Sequence, residues 1–382
     1  MYKTIGILTG GGDAPGLNAV IRAAVKTSIG EYSMKVIGIE DGFEGLLEET
    51  KTRPLYHRDV RGLLPRGGTI LGTRNRGRFV ERAAEGETVA SSEVYREAVQ
   101  NLDRLGIDAL LVLGGEGTLT IAAEFDRLGI PVVGVPKTID NDLACTELTF
   151  GFVTALDIAT EALDRLHTTA ESHDRVMILE VMGRDTGWIA LHSGIAGGAD
   201  VILIPEIPFS MESVADKVRA RDKGGSNFSI IVVAEGAVEM GHDQIFQDKG
   251  DQQHAPRLGG IAEYCRSHLE ELTGKETRCV VLGHLQRGGR PNAFDRMLAT
   301  TYGACAVHAL AEGKRGVMVA LQAGDVVTVP ISEAVANVKT VPPNGQMVRT
   351  ARDTGISFGA PDEAKYRRIQ GQESENLVAG RY

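Results

Sequence analysis

Val132-Val133-Gly134-Val135-Pro136-Lys137-Thr138-Ile139-Asp140-Asn141-Asp142 is the stretch whose reading decides the fold. Its first part is a short β-branched run, the pattern of a strand buried on both faces of a parallel sheet. Its second part, from Pro136 to Asp142, packs a cation, a hydroxyl and two carboxylates into one short turn. In open α/β sheets ligands sit beyond the carboxyl ends of the strands, so Asp140 and Asp142 are expected to project into a site. An Asp-Asn-Asp run also suits an Asx turn or a helix cap. Lys137 and Thr138 beside it, and the glycine loops elsewhere, weigh toward chemistry.

Similar apolar runs recur at Ile5–Leu8, Lys35–Ile39, Ala109–Leu113, Val176–Val181, Val201–Ile204, Ser229–Ala234, Arg278–Leu282 and Val317–Leu321. Helical patterns lie between many of them: Ala19–Lys26 follows the first, and Leu156, Ala159, Leu163 and Leu166 recur at helical spacing. Strands alternating with helices imply βαβ units, a mainly parallel sheet and right-handed crossovers. The polar stretch Gln244–Pro256 reads as an exposed loop or hairpin. The tail beyond about Thr350 is polar, and part of it is expected to fray.

At 382 residues the chain exceeds one typical core, so two domains are expected. A net charge of −10 argues against a nucleic-acid surface, so basic residues matter here as local clusters meeting small anions. Cys145, Cys265, Cys279 and Cys305 lack metal-ligand spacing and suit reduced thiols. The start runs straight into a strand-like stretch, and no run reaches membrane length. A cytoplasmic protein is expected.

Two glycine loops follow strand-like runs. Thr9-Gly10-Gly11-Gly12-Asp13-Ala14-Pro15-Gly16 leads into the first helix, and Gly114-Gly115-Glu116-Gly117-Thr118 repeats the arrangement. Glycines let backbone N–H groups approach an anion, and a helix N-terminus favours negative charge. Neither loop is a Walker A or a Rossmann fingerprint. Glu116 suits a magnesium contact to donor phosphates as well as a solvated turn. Three later strands also end in polar clusters: Glu180–Gly187, Ala234-Glu235-Gly236 and Gly283-His284-Leu285-Gln286-Arg287-Gly288-Gly289.

Thr138-Ile139-Asp140-Asn141-Asp142, the two glycine loops and these three clusters, taken together, resemble the 6-phosphofructokinase family over residues 3 to about 325. The resemblance implies an α/β chain of two doubly wound, mainly parallel lobes with the active site in the cleft between them. It assigns residues 1–151 with about 286–336 to the donor lobe, and 152–285 with about 337–382 to the fructose 6-phosphate lobe. It implies phosphoryl transfer to the sugar 1-hydroxyl, a glycolytic step. Asp140 would be the general base, Thr138 a hydrogen bond to the transferred group, and Arg184 with Mg²⁺ its charge stabiliser. Glu116 would serve the metal, and Asp142 would orient Mg²⁺-bound water or the substrate.

Gly11, Gly12, Gly115, Gly117, Thr118 and Lys137 would hold the donor, together with an arginine that the spacing leaves as Arg74 or Arg76. Arg175, Arg278, Arg287 and His284 would hold the 6-phosphate, since guanidinium forks fit phosphate oxygens. Glu235 would accept from sugar hydroxyls, and the Met182-Gly183 backbone would flank the ring. Arg175 and Arg278 would reach into a neighbouring subunit of a homotetramer. A sugar-phosphate-binding paralogue without activity is the competing class; intact Thr138, Asp140, Arg184 and Glu235 count against it.

The donor signature is mixed. Gly117 leaves room for a nucleotide where an acidic residue goes with pyrophosphate, whereas Lys137 goes with pyrophosphate use. Exclusion outweighs an added attraction, so ATP with Mg²⁺ is expected and pyrophosphate is the second reading. The effector positions keep Arg22 and Lys26 but carry His167, Gly224 and Ser226 where cations are expected, so a weak response to ADP and phosphoenolpyruvate is expected.

Overall fold

The computed structural model describes residues 2–74, 77–79, 92–248 and 257–361. The chain divides into two compact units, Met1–Ala155 with Arg287–Lys339, and Leu156–Gln286 with Thr340–Tyr382.

In the first unit the sheet runs β1 (Thr4–Thr9), β2 (Lys35–Ile39), β3 (Thr52–Leu55), β4 (Ala109–Gly114), β5 (Val132–Thr138), β6 (Phe150–Gly151), β13 (Val317–Gln322) and β14 (Asp325–Pro330). Their order is β14-β13-β5-β4-β1-β2-β3, with β6 beside β5. All pairs are parallel except β2 with β3 and β13 with β14. Strand order therefore reverses between β1 and β4, and such a switch point opens a ligand crevice at the strand ends. Alternate residues feed two cores. Ile5, Ile7, Leu111, Leu113, Val133 and Val135 meet helices Leu17–Tyr32 and Ala293–Ala311 on one face. Leu8, Leu110, Val112 and Val132 meet helices Glu93–Leu105 and Glu116–Arg127 on the other. Each such side chain contributes ~1.5–3 kcal/mol on burial, which explains why these strands read as unbroken apolar runs.

In the second unit β7 (Val176–Val181), β8 (Val201–Leu203), β9 (Ser229–Ala234) and β12 (Thr277–Val281) form a parallel sheet of order β12-β7-β9-β8. Two features add to the sequence reading, at β5 and in the tail, while the stretch from Gln244 agrees with the hairpin expected there. Strand β5 extends through Lys137 and Thr138, because β6 pairs with them and holds these polar residues in the sheet. The stretch beginning at Gln244 forms β10 (Phe246–Asp248), antiparallel to β11 (Arg257–Leu258), and residues 249–256 lie outside the described residues. The tail is ordered through Ser357: Ile202 donates to its carbonyl at 2.8 Å and its N–H donates to Asp200 at 3.0 Å, with Phe358 buried beside it.

Candidate active site

The glycine loops come together at the switch point. Gly10 N–H donates to the Leu113 carbonyl at 2.9 Å, fastening the β1 loop to the end of β4. Thr118, in the first turn of helix Glu116–Arg127, fills the space between the loops so closely that a Cβ on Gly10 would lie 2.6 Å from its Cγ2. Gly11 has φ +76°, and its N–H donates to the Arg74 carbonyl at 3.0 Å. The Arg74 side chain lies 3.8 Å from Asp41, while Arg76 lies outside the described residues. Gly115 caps the helix, and Glu116 and Gly117 are exposed on its first turn. A Cβ added at Gly117 would meet nothing within 4 Å.

Lys137 reaches under this loop. It is 3 % exposed and donates to the Gly12 carbonyl. Burial, then the charge of Arg287, pulls its ammonium down to about 8. Beyond β5 the chain turns through Asn141, which adopts φ +53°. Asp140 N–H donates to Thr138 Oγ1 at 3.1 Å, and that hydroxyl donates to Asp140 Oδ2 at 3.2 Å. Arg287 lies 3.9 Å from Asp140 Oδ2 and donates to the Asp13 carbonyl at 3.3 Å. It therefore stands with the glycine loop and the β5 turn.

Asp142 is the group most shaped by its surroundings. Burial and then the Asp140 charge push its carboxyl up to about 6, with Glu116 adding to the repulsion. Its Oδ1 is buried without a hydrogen-bond partner among the described residues. A buried carboxylate oxygen left open beside other acidic groups fits a divalent cation that takes one or two carboxylates and completes its shell with water and phosphate oxygens. Among the described residues no three His, Cys, Asp or Glu side chains form a metal cage.

The second unit gathers its polar groups at the ends of β7, β9 and β12. The tight turn after β7 is closed by Thr186 N–H donating to Gly183 O at 2.9 Å. Arg184, with φ +51°, donates its N–H to Glu235 Oε1 at 3.1 Å, so the turns after β7 and β9 are tied together. The Arg184 guanidinium is exposed beside Asp185. Met182 N–H donates to Gln286 Oε1 at 2.8 Å, and His284 stands exposed in the helical turn Gly283–Gln286. Arg175 and Arg278 converge on Glu276 Oε1 at 2.8 and 2.5 Å, and Arg278 is 3.4 Å from Glu270.

The structure thus brings Gly11, Gly12, Lys137, Thr138, Asp140, Asp142, Thr118 and Arg287 together in the first unit. It brings Met182, Gly183, Arg184 and Glu235 together in the second, with Arg175 and Arg278 forming a separate pair around Glu276. Sequence reasoning missed Lys339, whose Nζ donates to Asn141 Oδ1 and Thr146 O at 2.9 Å and to Glu147 O at 3.1 Å. It lies in the unremarkable run Val338-Lys339-Thr340, and no local signal marks it. His167 Nε2–H donates to Gly197 O at 2.7 Å, and Arg221 donates to Ser226 Oγ at 2.7 Å.

Residues 4–310 match the family model described as phosphofructokinase. The chain is 59% identical to the ATP-dependent 6-phosphofructokinase of Chloroflexus aurantiacus, over 94% of this chain and 98% of that one. It is 50% identical to the pyrophosphate–fructose 6-phosphate 1-phosphotransferase of Streptomyces coelicolor, over 93% and 99%. Among solved structures it resembles the T-state phosphofructokinase of Pichia pastoris with a TM-score of 0.76 and 34% identity, covering 95% of this chain and 38% of that longer one. The fold is also that of the pyrophosphate-dependent phosphofructokinase of Marinobacter aquaeolei, at a TM-score of 0.76 and 23% identity, covering 93% and 92%.

Proposed function

The chain belongs to the phosphofructokinase family, and from that premise we propose that it transfers the γ-phosphoryl group of ATP to the 1-hydroxyl of fructose 6-phosphate. The products are fructose 1,6-bisphosphate and ADP. The observation that carries this reading is the β5 turn: a buried Thr138–Asp140 pair set against two glycine loops, with Lys137 beneath and Arg287 beside it.

The sugar 1-hydroxyl gives its proton to Asp140 as its oxygen bonds to the γ-phosphorus and the bond to the β-phosphate oxygen breaks. Positioning dominates such a step, because the phosphoryl transition state is loose and needs little covalent help. Thr138 Oγ1 hydrogen-bonds the transferred group, and Arg184 meets its equatorial charge. Gly11, Gly12, Gly115 and Thr118 line the donor's phosphates, with Lys137 and Arg74 supplying charge. Asp142 and Glu116 would hold Mg²⁺, which when bound neutralises phosphate charge. Glu235 accepts from sugar hydroxyls, Met182-Gly183 flanks the ring, and Arg175, Arg278, His284 and Arg287 receive the 6-phosphate. The reading has the enzyme in the cytoplasm as a homotetramer whose subunits share Arg175 and Arg278. No helix among the described residues is long and apolar enough to cross a membrane.

ATP is favoured over pyrophosphate because the open space at Gly117 leaves a nucleotide room and because relatives at 59% identity are named ATP-dependent. Lys137 supports pyrophosphate as the second reading, as do relatives at 50% identity. Side-by-side kcat/KM with ATP and with pyrophosphate tests the choice. A clear preference for pyrophosphate overturns the donor, and no bisphosphate with either overturns the enzyme in favour of a sugar-phosphate-binding protein. Mixed Asp140→Asn and Arg278→Ala subunits should regain activity on reassembly if the site is shared.

A further inference from the structure

Asn141 is the hinge of the β5 turn. It holds the left-handed conformation, φ +53°, between the two carboxylates. That region is uncommon for any residue with a side chain and persists only where the surroundings hold it. The Asn141 side chain is the hold. Its Oδ1 accepts from Thr149 N–H at 3.1 Å and from Lys339 Nζ at 2.9 Å, and its Nδ2 donates to Glu147 O at 3.4 Å. Thr149 Oγ1 in turn donates to the Thr138 carbonyl at 2.7 Å.

Lys339 closes this network from a distant part of the sequence. A lysine ammonium carries three donors, and Asn141 Oδ1, Thr146 O and Glu147 O are three acceptors within 3.1 Å. Its backbone N–H donates to Asp142 O at 2.8 Å, and Val338 bridges Leu143 in antiparallel fashion. One residue thus grips both sides of the loop that follows Asp140. With its protons committed to the protein, the ammonium serves the turn rather than a ligand.

We propose that Lys339 is a positioning residue for the phosphoryl-transfer turn: it fixes the left-handed Asn141, and through it the directions in which Asp140 and Asp142 point. The inference rests on the roles given to those two carboxylates above. Hydrophobic substitution takes one donor from each of three oxygens, leaving Asn141 Oδ1 with Thr149 N–H and Glu147 O with Asn141 Nδ2, and lets the turn relax. A displacement near 1 Å at reacting groups costs ~10²-fold in rate. Binding of fructose 6-phosphate, read to depend on Arg175, Arg278, His284 and Glu235 of the second unit and on Arg287 of the first, changes little.

The test compares the full chain with its Lys339→Met and Lys339→Ala variants by kinetics and by amide hydrogen exchange. Lys339→Met should lose ~10–10²-fold in kcat with KM for fructose 6-phosphate within about threefold. Exchange should speed in the peptide covering Thr138–Thr149 while Val132–Val135 stays protected. Methylammonium, but not tetramethylammonium at equal ionic strength, should restore part of the lost kcat in Lys339→Ala, since only the former donates hydrogen bonds. Unchanged kcat and unchanged exchange in Lys339→Met overturn the proposal. So does a kcat loss with general loss of protection and no rescue, which marks a merely structural residue. If the wild-type chain makes no bisphosphate, the functional reading fails first, and the exchange measurement still decides whether Lys339 holds the turn.

Discussion

The two units prepare their polar groups in opposite ways. In the first, Lys137, Thr138 and Asp140 are under a tenth exposed, and the ionisation of Lys137 and Asp142 is displaced from the ordinary values. In the second, the side chains of Arg184 and Arg278 are 74% and 52% exposed, beside carboxylates at the surface. Buried charges have shed water before any substrate arrives, and each is held by backbone or by a neighbour. Exposed guanidinium groups keep their water and exchange one anion for another on binding. On the proposed reading the contrast suits bond-making by the first set and anion capture by Arg278, with Arg184 meeting the transferred group: preorganised dipoles act strongly where water is excluded, and solvated arginines bind anions at modest strength.

The sharpest way to break this contrast is Asp140→Asn. It should lower kcat by ~10²–10⁴-fold while KM for fructose 6-phosphate stays near its starting value, as steady-state kinetics would read. Near-normal turnover would remove Asp140 from the reaction. Next in size, Arg278→Ala should leave kcat largely intact and raise that KM by the worth of a charged hydrogen bond, ~1.5–3 kcal/mol. Arg175→Ala should behave alike, because both arginines meet at Glu276. A kcat defect instead would place these arginines in the chemical step.

Gly117→Asp comes third. The added side chain meets open space, so the fold should tolerate it, and a carboxylate facing phosphate should lower kcat/KM for ATP by about tenfold. Pyrophosphate use should survive or rise, and equal losses with both donors would count against the steric reading.

The smallest effect separates stability from function. Asp142 has its carboxyl pushed up from 3.8 to about 6, so between those values the folded chain binds more protons than the unfolded one. The stabilisation that protonation brings is full below 3.8 and is lost as pH rises through about 6. At pH 8 the fold therefore carries an unfavourable buried carboxylate. Asp142→Asn should stabilise the protein there by on the order of 1 kcal/mol, with the gain shrinking below pH 6, while activity falls. Thermal melts at pH 8 and pH 4 would check it, and a larger gain at pH 4 would reverse the assigned sign.

What could be read from the sequence follows from where water is. Strands β1, β4, β5, β7 and β9 are buried on both faces, so selection for apolar residues leaves an unbroken run. Thr52–Leu55 escaped because an edge strand tolerates Pro54 and needs little hydrophobicity. Asp325–Pro330 escaped for the same reason, with half-exposed residues along an antiparallel edge. The tail reads as polar with part of it expected to fray; Ile356 and Phe358 bury in the second unit, and residues 362–382 lie outside the described residues. Polar clusters at strand ends were visible because they interrupt apolar runs abruptly. The packing of Arg287 on the Gly12–Asp13 turn, and the grip of Lys339 on Asn141 across 198 positions, are tertiary facts with no local trace.

The interleaving of the chain also sets a timetable for synthesis. Strand β5 has β4 on one side, but its other neighbour, β13, is not made until residues 317–322 emerge, and helix Ala293–Ala311 closes the core under β1 only shortly before. A growing chain therefore carries this turn on a strand with one edge still open to β13, over an incompletely covered apolar face, through nearly half of its translation. Such long-range closure folds slowly and leaves edges open to wrong partners. Strand β5 is paired on both sides only once residues 317–322 have been delivered, and until then its open edge is a place where a wrong partner can dock.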